Sequence, residues 1–275
     1  MKNAASKTAP KDLPKLDYLF VKSFRLLKSN PNKAGLMVLF DVLFLVSAFG
    51  LQTLFKYFAQ SLNISIAIPK TTAAAFIYIA FSLIYYLIAL FAYSFFKYCI
   101  LDFIKSLFNQ TVFSFKRLGQ FYSLNIAIAG IFFAVMIALN FLLASIKQAY
   151  QPFAFIFMAV PYSLVLYLIV NTSHSLFYEG ASTKESVKKS FSVTFTKIKD
   201  YREIILALIL SAFALWLLFF GSGYLIRMIA SKNYNLYLTS YAYFKQASVI
   251  VFDIAFYLVI LINRVSFYAT IREIK

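Results

Sequence analysis

The stretch Tyr122–Ile146 reads YSLNIAIAGIFFAVMIALNFLLASI and contains no charged side chain. At a rise of 1.5 Å per residue, a helix of about 20 apolar residues crosses the ~30 Å hydrocarbon core of a bilayer. In lipid, each backbone N–H and C=O group needs a partner within the protein, so a helix or a closed barrel is required. The apolar run is continuous rather than alternating, and it therefore predicts a transmembrane helix.

Five other stretches have the same character, and the whole chain is 62% hydrophobic and only 13% charged. Soluble domains carry about 25% charged residues, so this composition indicates that lipid is the solvent for most of the surface. The predicted fold is all-α, a polytopic membrane helical bundle with six spans. These are Leu36–Phe58, Thr72–Tyr98, Tyr122–Ile146, Phe153–Phe177, Ile204–Ile226 and Ala247–Phe267.

The basic residues lie mostly on one side of these spans. Of 27 Lys and Arg residues, 21 lie in the two terminal segments, in the second and fourth connections, or in the last turn of a span next to them. The positive-inside rule then predicts a cell-membrane protein with both termini in the cytoplasm. The net charge of +17 is explained by attraction to anionic headgroups on that face, and no motif points to nucleic acid. The first apolar run is too long for a signal peptide, so we expect the first span to be retained.

Three similar segments precede the first, third and fifth spans, namely SFRL at residues 23–26, SFKRL at 114–118 and TFTKI at 194–198. They predict three transmembrane hairpins, each with a cytoplasmic amphipathic lead-in helix. Residues 1–35 then form a cytoplasmic tail with one such helix, and residues 36–275 form a single six-helix domain. Pro31 is expected to end or bend the first lead-in helix. Its apolar stripe is Leu13, Leu16, Phe20, Phe24 and Leu27.

The lead-in helix over residues 181–199 has clearer signals. Ser182 and Glu185 have the spacing of a capping box, and Gly180 just before them suits a chain reversal. A helix of this kind either lies in the headgroup plane or docks under the bundle, and the sequence favours neither. Its predicted apolar stripe is Val187, Phe191, Phe195 and Ile198, opposite Lys184, Lys188 and Lys199.

Two aspartates interrupt the spans. Asp41 lies near the cytoplasmic end of the first span and Asp253 near the outer end of the sixth, so they are expected in opposite leaflets. A charged Asp near a helix centre costs ~2.5–3.5 kcal/mol, so such residues belong to an ion path or to a structural pair. Structural pairing is the favoured interpretation, with Arg264 as the partner of Asp41 and Arg227 as the partner of Asp253.

Other polar and small residues in the spans have simpler interpretations. Asn140, and Asn171 with His174, are expected to form interhelical hydrogen bonds. Because His174 is the only histidine, a multi-histidine metal site is excluded, and no cofactor motif or catalytic set is apparent. The small residues Gly130, Ala134 and Ala138 recur at every fourth position and predict close helix packing, within the monomer rather than between copies.

The run Glu179-Gly-Ala-Ser-Thr-Lys-Glu-Ser-Val-Lys-Lys-Ser-Phe191 resembles a cytoplasmic motif of a loose group of prokaryotic six-helix membrane proteins. The group includes the membrane domain found beside glycerophosphodiester phosphodiesterases. Its pattern has alanine where this chain has Ser186. The resemblance implies a six-helix layout and carries over no catalytic residue, because this chain contains no phosphodiesterase domain.

These observations predict a non-enzymatic membrane protein with an accessory or lipid-environment role. The alternative is a small secondary transporter that uses Asp41 or Asp253. A lipid-modifying enzyme is a third interpretation, and it is the weakest because the sequence shows no set of catalytic residues. The expected partner is the lipid bilayer, with anionic headgroups on the cytoplasmic face. The sequence identifies no protein partner.

Overall fold

A computed structural model describes residues 19–61, 71–111, 113–196, 201–231 and 233–274. In these ranges the chain is all-α, and six of its helices are long and apolar enough to cross a membrane, as the sequence predicts. The helices are α1 (Leu19–Lys28), α2 (Pro31–Ser61), α3 (Thr72–Ser106), α4 (Phe115–Ala144), α5 (Gln151–Tyr178), α6 (Thr183–Thr196), α7 (Arg202–Ala230) and α8 (Tyr234–Ile274). A short 3₁₀ turn, Gln148–Tyr150, precedes α5.

Local signals in the sequence set several helix ends. Pro31 is the first residue of α2, a position where proline costs no hydrogen bond. The side chain of Ser114 caps α4 by accepting a hydrogen bond from the backbone of Arg117. Gly180 has φ of +100°, and the N–H of Ala181 reaches the carbonyl of Leu176, which together form a Schellman turn after α5.

The capping box that the sequence predicts opens α6. The hydroxyl of Ser182 accepts a hydrogen bond from the N–H of Glu185, and the carboxylate of Glu185 accepts one from the N–H of Ser182, both at 3.3 Å. Gly180 therefore reverses the chain and the box restarts it as a helix within three residues. Both features were predicted, and both are confirmed.

The chain divides into two compact units. The smaller comprises Met1–Leu26 and Tyr201–Ser266, and the larger comprises Leu27–Asp200 and Phe267–Lys275. The predicted division at residue 35 stays a prediction, because it concerns membrane topology rather than the packing of the folded chain.

In the larger unit, α2 packs on α3, α3 on α4 and α5, and α6 on α4 and α5. Phe55 of α2 stacks on Phe81 of α3 with ring centroids 4.3 Å apart. The buried residues gather towards the basic ends of the helices, in the segments 94–104 of α3, 118–132 of α4 and 168–178 of α5. The other halves of these helices expose large apolar side chains, as expected where lipid is the solvent.

In the smaller unit, α7 packs on α8. Phe219 lies 5.9 Å from Phe252 between ring centroids, and the amide of Asn263 donates to the carbonyl of Ile204 at 3.5 Å. The first turns of α1 join them, because the N–H of Leu19 donates to the carboxylate of Glu203 at 3.1 Å. The hydroxyls of Ser23 and Ser266 also meet, at 3.0 Å.

The buried faces of the two short helices overlap the predicted stripes only in part. In α6 the buried residues are Ser186, Ser190 and Thr194, whereas Phe195 is 60% exposed. Val187 and Phe191 of the predicted stripe are half-buried, and the Phe191 ring stacks on Phe132 of α4 with 6.3 Å between centroids. In α1, Ser23 and Leu27 are buried and Phe24 is exposed. Leu13, Leu16, Ile198 and Lys199 lie outside the described residues.

The predicted packing ridge of α4 is also on another face. Gly130, Ala134 and Ala138 are all exposed, and a Cβ added to Gly130 would meet no atom of another residue within 4 Å. The prediction that this ridge packs within the monomer is therefore wrong for the part of the chain described. α4 packs through its opposite, larger side chains, which include Leu124, Ile128 and Phe132.

Candidate functional site

Three polar side chains meet where α3, α4 and α5 pack together. The amide of Asn125 on α4 donates to the hydroxyl of Ser94 on α3 at 2.9 Å, and its carbonyl lies 2.7 Å from Nε2 of His174 on α5. The hydroxyl of Ser94 donates to the carbonyl of Leu90, one turn back along α3. All three side chains are buried. We refer to Ser94, Asn125 and His174 as the polar junction.

The hydrogen-bond directions define the state of the imidazole. Because the carbonyl of Asn125 accepts, Nε2 of His174 carries the proton, and Nδ1 is the acceptor in the neutral ring. Nδ1 is buried and has no hydrogen-bond partner. The ring of Phe121 lies against the imidazole, with 4.7 Å between centroids. The imidazole is thus buried and held by one hydrogen bond, with the Phe121 ring against it and the buried Lys97 nearby.

The junction does not have the geometry of a nucleophilic catalyst. A serine nucleophile needs a hydrogen bond to its base. Here the hydroxyl of Ser94 is directed at a backbone carbonyl, and the imidazole contacts Asn125 instead. The arrangement joins three helices through side chains, which is the role of a structural polar network.

Basic residues close the carboxyl ends of helices in the larger unit. Lys105 donates to the carbonyl of Tyr178 at 2.8 Å, and Arg117 donates to the carbonyl of Phe177 at 2.9 Å, so both cap α5. Lys33 donates in the same way to the carbonyl of Ser106 at 2.7 Å, at the end of α3. Cations are favourable at these ends because the last carbonyls are unpaired and the helix dipole is negative there. Part of the basic bias therefore has a structural use.

The last turns of α8 belong to the larger unit. The hydroxyl of Tyr268 donates to the carboxylate of Glu179, the residue that ends α5. Phe108 packs on Tyr268, and the guanidinium of Arg272 lies over the Phe108 ring at 5.4 Å. These contacts hold the end of α8 against the ends of α3 and α5.

Replacing Tyr268 by phenylalanine is expected to lower the free energy of unfolding by about 1.5–3 kcal/mol, the usual contribution of a hydrogen bond to a charged group. The measurement is thermal unfolding of the purified protein in mild detergent. Tyr243→Phe is the matched control, because Tyr243 lies on the same helix and is exposed. Equal melting temperatures for the two variants would show that the Glu179 contact contributes nothing.

A groove opens between α6 and the end of α8. Its volume is about 360 Å³, and its walls are Leu176, Gly180, Ala181, Glu185, Lys189, Val193 and Ile271. Leu176 and Ile271 form its buried side, and Glu185 and Lys189 are exposed at its edge. Neither aspartate that the sequence singled out lines this groove.

Asp253 does not have the partner predicted for it. Phe252 packs beside Phe219, so Asp253 lies level with the middle of α7. Arg227 is eight residues further along α7, about 12 Å at the helical rise. Both side chains are exposed, and in the described part of the chain no ion pair joins them. The predicted pair is therefore wrong, because the two residues lie about two turns apart along the packed helices α7 and α8.

The other predicted site residues have different outcomes. Asn140 is exposed, and its amide donates to the carbonyl of Met136 on its own helix at 2.9 Å, so the predicted interhelical bond is wrong. Asn171 likewise bonds to Tyr167 on its own helix, whereas His174 does bond across helices. Asp41 and Arg264 are both half-buried. Their pairing stays a prediction.

Ser94 and Asn125 were not among the predicted site residues. Asn125 lies near the end of its apolar run, and we singled out Asn140 because it is deeper in that run. A useful signal was the antiparallel order of neighbouring spans. If the third and fourth spans are adjacent, residues near their cytoplasmic ends meet, and this brings Asn125 level with His174.

Among the described residues, no three His, Cys, Asp or Glu side chains lie together in a way that can hold a metal ion. Comparisons with protein-family models, with curated proteins and with solved structures found no match. The assignment of function therefore depends on the chain itself.

Proposed function

We propose that this chain is a non-enzymatic integral membrane protein with an accessory role in the lipid environment of its basic face. One observation carries the proposal: the packed, polar part of the larger unit lies at the basic ends of its helices. In each candidate span, at most 22% of the residues in an apolar 18-residue stretch are buried, so most of the span surface is available to lipid. The resemblance of residues 179–191 to an uncharacterised membrane-protein group is consistent with this role and stays a prediction.

The proposed topology has three hairpins, α2 with α3, α4 with α5, and α7 with α8, and both termini in the cytoplasm. The support is the distribution of 21 of 27 basic residues on one side of the spans. Tags placed at each terminus should be protected in sealed cells and become accessible after the membrane is opened. Labelling of either tag from outside would overturn this topology.

The lipid role has its own test. Exposed lysines that make no capping bond, such as Lys184 and Lys188, are expected to attract anionic headgroups, each by about 1 kcal/mol near the surface. The protein should therefore melt at a higher temperature in nanodiscs of phosphatidylglycerol than in nanodiscs of phosphatidylcholine, and added salt should reduce the difference. The double variant Lys184→Gln, Lys188→Gln should lose part of it. Equal stability in both lipids contradicts the proposal.

Secondary transport is the alternative, and the position of Asp253 favours it. A carboxylate that is exposed midway along a span, with no ion pair among the described residues, is costly in lipid and is commonly functional. If Asp253 carries protons or cations, proteoliposomes should show a flux that Asp253→Asn abolishes and Glu273→Gln, a change near the end of the same helix, preserves. A wild-type protein without flux above empty vesicles rules this function out.

A further inference from the structure

The groove beside α6 combines apolar walls with one charge of each sign. Ala181 and Val193 supply the accessible apolar surface over the buried Leu176 and Ile271, and Glu185 and Lys189 lie at its edge. Its volume of about 360 Å³ lies at the lower end of the range of ligand pockets, about 300–1,000 Å³. The groove can therefore take part of an amphipathic molecule rather than a whole lipid.

The two charges lie one turn apart on α6, and no direct contact joins them. Residues at i and i+4 are neighbours on a helix surface. Nevertheless, within the described residues neither side chain forms an ion pair, and Lys189 makes no hydrogen bond there. One oxygen of Glu185 accepts hydrogen bonds from Ser182, which fixes the carboxylate at the start of the helix. The other oxygen is left for a ligand.

Charge complementarity selects the ligand. A headgroup that carries only a phosphate satisfies Lys189 but places a second negative charge near Glu185. A headgroup that carries a phosphate and a primary ammonium matches both residues. An ammonium also donates hydrogen bonds to the fixed carboxylate, which a quaternary amine lacks the N–H groups to do. The apolar walls then contact the upper part of an acyl chain.

We propose that this groove binds a phospholipid with a phosphoethanolamine headgroup, with the phosphate at Lys189 and the ammonium at Glu185. The inference deepens the proposed lipid role and rests on it in one respect, the placing of the basic face at the cytoplasmic leaflet. The groove itself is defined by contacts within the larger unit alone.

Native mass spectrometry of the protein in detergent, with phosphatidylethanolamine added, tests the proposal. The wild type should retain one such lipid more strongly than phosphatidylglycerol or phosphatidylcholine. Glu185→Gln and Lys189→Gln should each weaken retention about tenfold, the effect of losing a charged hydrogen bond. Lys147→Gln is the control, because Lys147 is an exposed lysine beyond the far end of α4 and does not line the groove.

Val193→Phe should fill the groove and reduce retention of the lipid without a change of charge. Unchanged melting temperatures for the variants show that loss of binding is not loss of fold. Equal retention of all three lipids overturns the proposal, and so does retention that depends on Lys189 but not on Glu185. The proposed function is tested separately, because stabilisation by anionic nanodiscs depends on Lys184 and Lys188. That result can hold even if the groove binds no phosphatidylethanolamine.

Discussion

Replacing Phe121 by alanine is expected to lower the free energy of unfolding by about 3–5 kcal/mol, the usual cost of removing a fully buried aromatic ring. Phe121 is 0% exposed. Its ring packs against Tyr98 of α3 at 5.7 Å, and against His174 and Phe177 of α5 at 4.7 and 5.6 Å between centroids. Its loss leaves a cavity between three helices, which lipid can fill less readily than it covers an outer face.

The same substitution at Phe141 is the control. Phe141 lies on the same helix but is 75% exposed, so its ring already contacts the surrounding lipid. Phe141→Ala should change the free energy of unfolding by about 0.5 kcal/mol or less, as at other surface positions. Thermal unfolding in mild detergent compares the two variants. Losses of equal size would mean that the packed end of α4 is not where the structure places it.

The six spans could be predicted because hydropathy over some 20 residues is a strong signal. The ends of the helices were harder to predict. The apolar run of the last span begins at Ala247, yet α8 begins at Tyr234. Hydropathy reports where a helix enters lipid, not where it starts, and the residues between are polar and aromatic without a breaker.

Capping signals were predicted correctly because they are local. Gly180 and the pair Ser182 and Glu185 act within a few residues, so no tertiary contact can override them. The stripe predictions for α1 and α6 match the buried faces only in part, because Leu27 is buried and Phe191 packs on Phe132, whereas Phe24 and Phe195 are exposed. Periodicity identifies the most apolar face of a helix, and in a membrane protein that face can contact lipid while small polar residues pack inside. In α6, for example, Phe195 is exposed whereas Ser190 is buried.

The polar residues show most clearly what a single sequence lacks. Asn125 and Asn140 occupy the same helix in similar apolar surroundings, and only their neighbours in space distinguish them. Asn125 finds Ser94 and His174 across two interfaces, whereas Asn140 turns back to its own backbone. Depth in the apolar run pointed to the wrong asparagine, because the value of a polar group in a bundle depends on its partner.

Asn125→Ala is therefore expected to lower the free energy of unfolding by about 2–4 kcal/mol. It leaves the buried Nε2 of His174 without its acceptor, where an unpaired buried group costs about 1–3 kcal/mol, and it opens a small cavity. Because Nδ1 also has no partner, the imidazole would lose its one direct hydrogen bond. Thermal unfolding in detergent measures the loss.

Asn140→Ala, on the same helix, should change stability by about 0.5 kcal/mol or less, because the side chain is exposed and its bond is to its own backbone.

A double-mutant cycle then tests the junction as a unit. Once Asn125 is alanine, Ser94→Ala should cost less than it does in the wild type, since the hydroxyl no longer has the amide to accept from. Strictly additive losses would mean that Ser94 and Asn125 act independently, and a large effect of Asn140→Ala would place the polar network at the other end of α4.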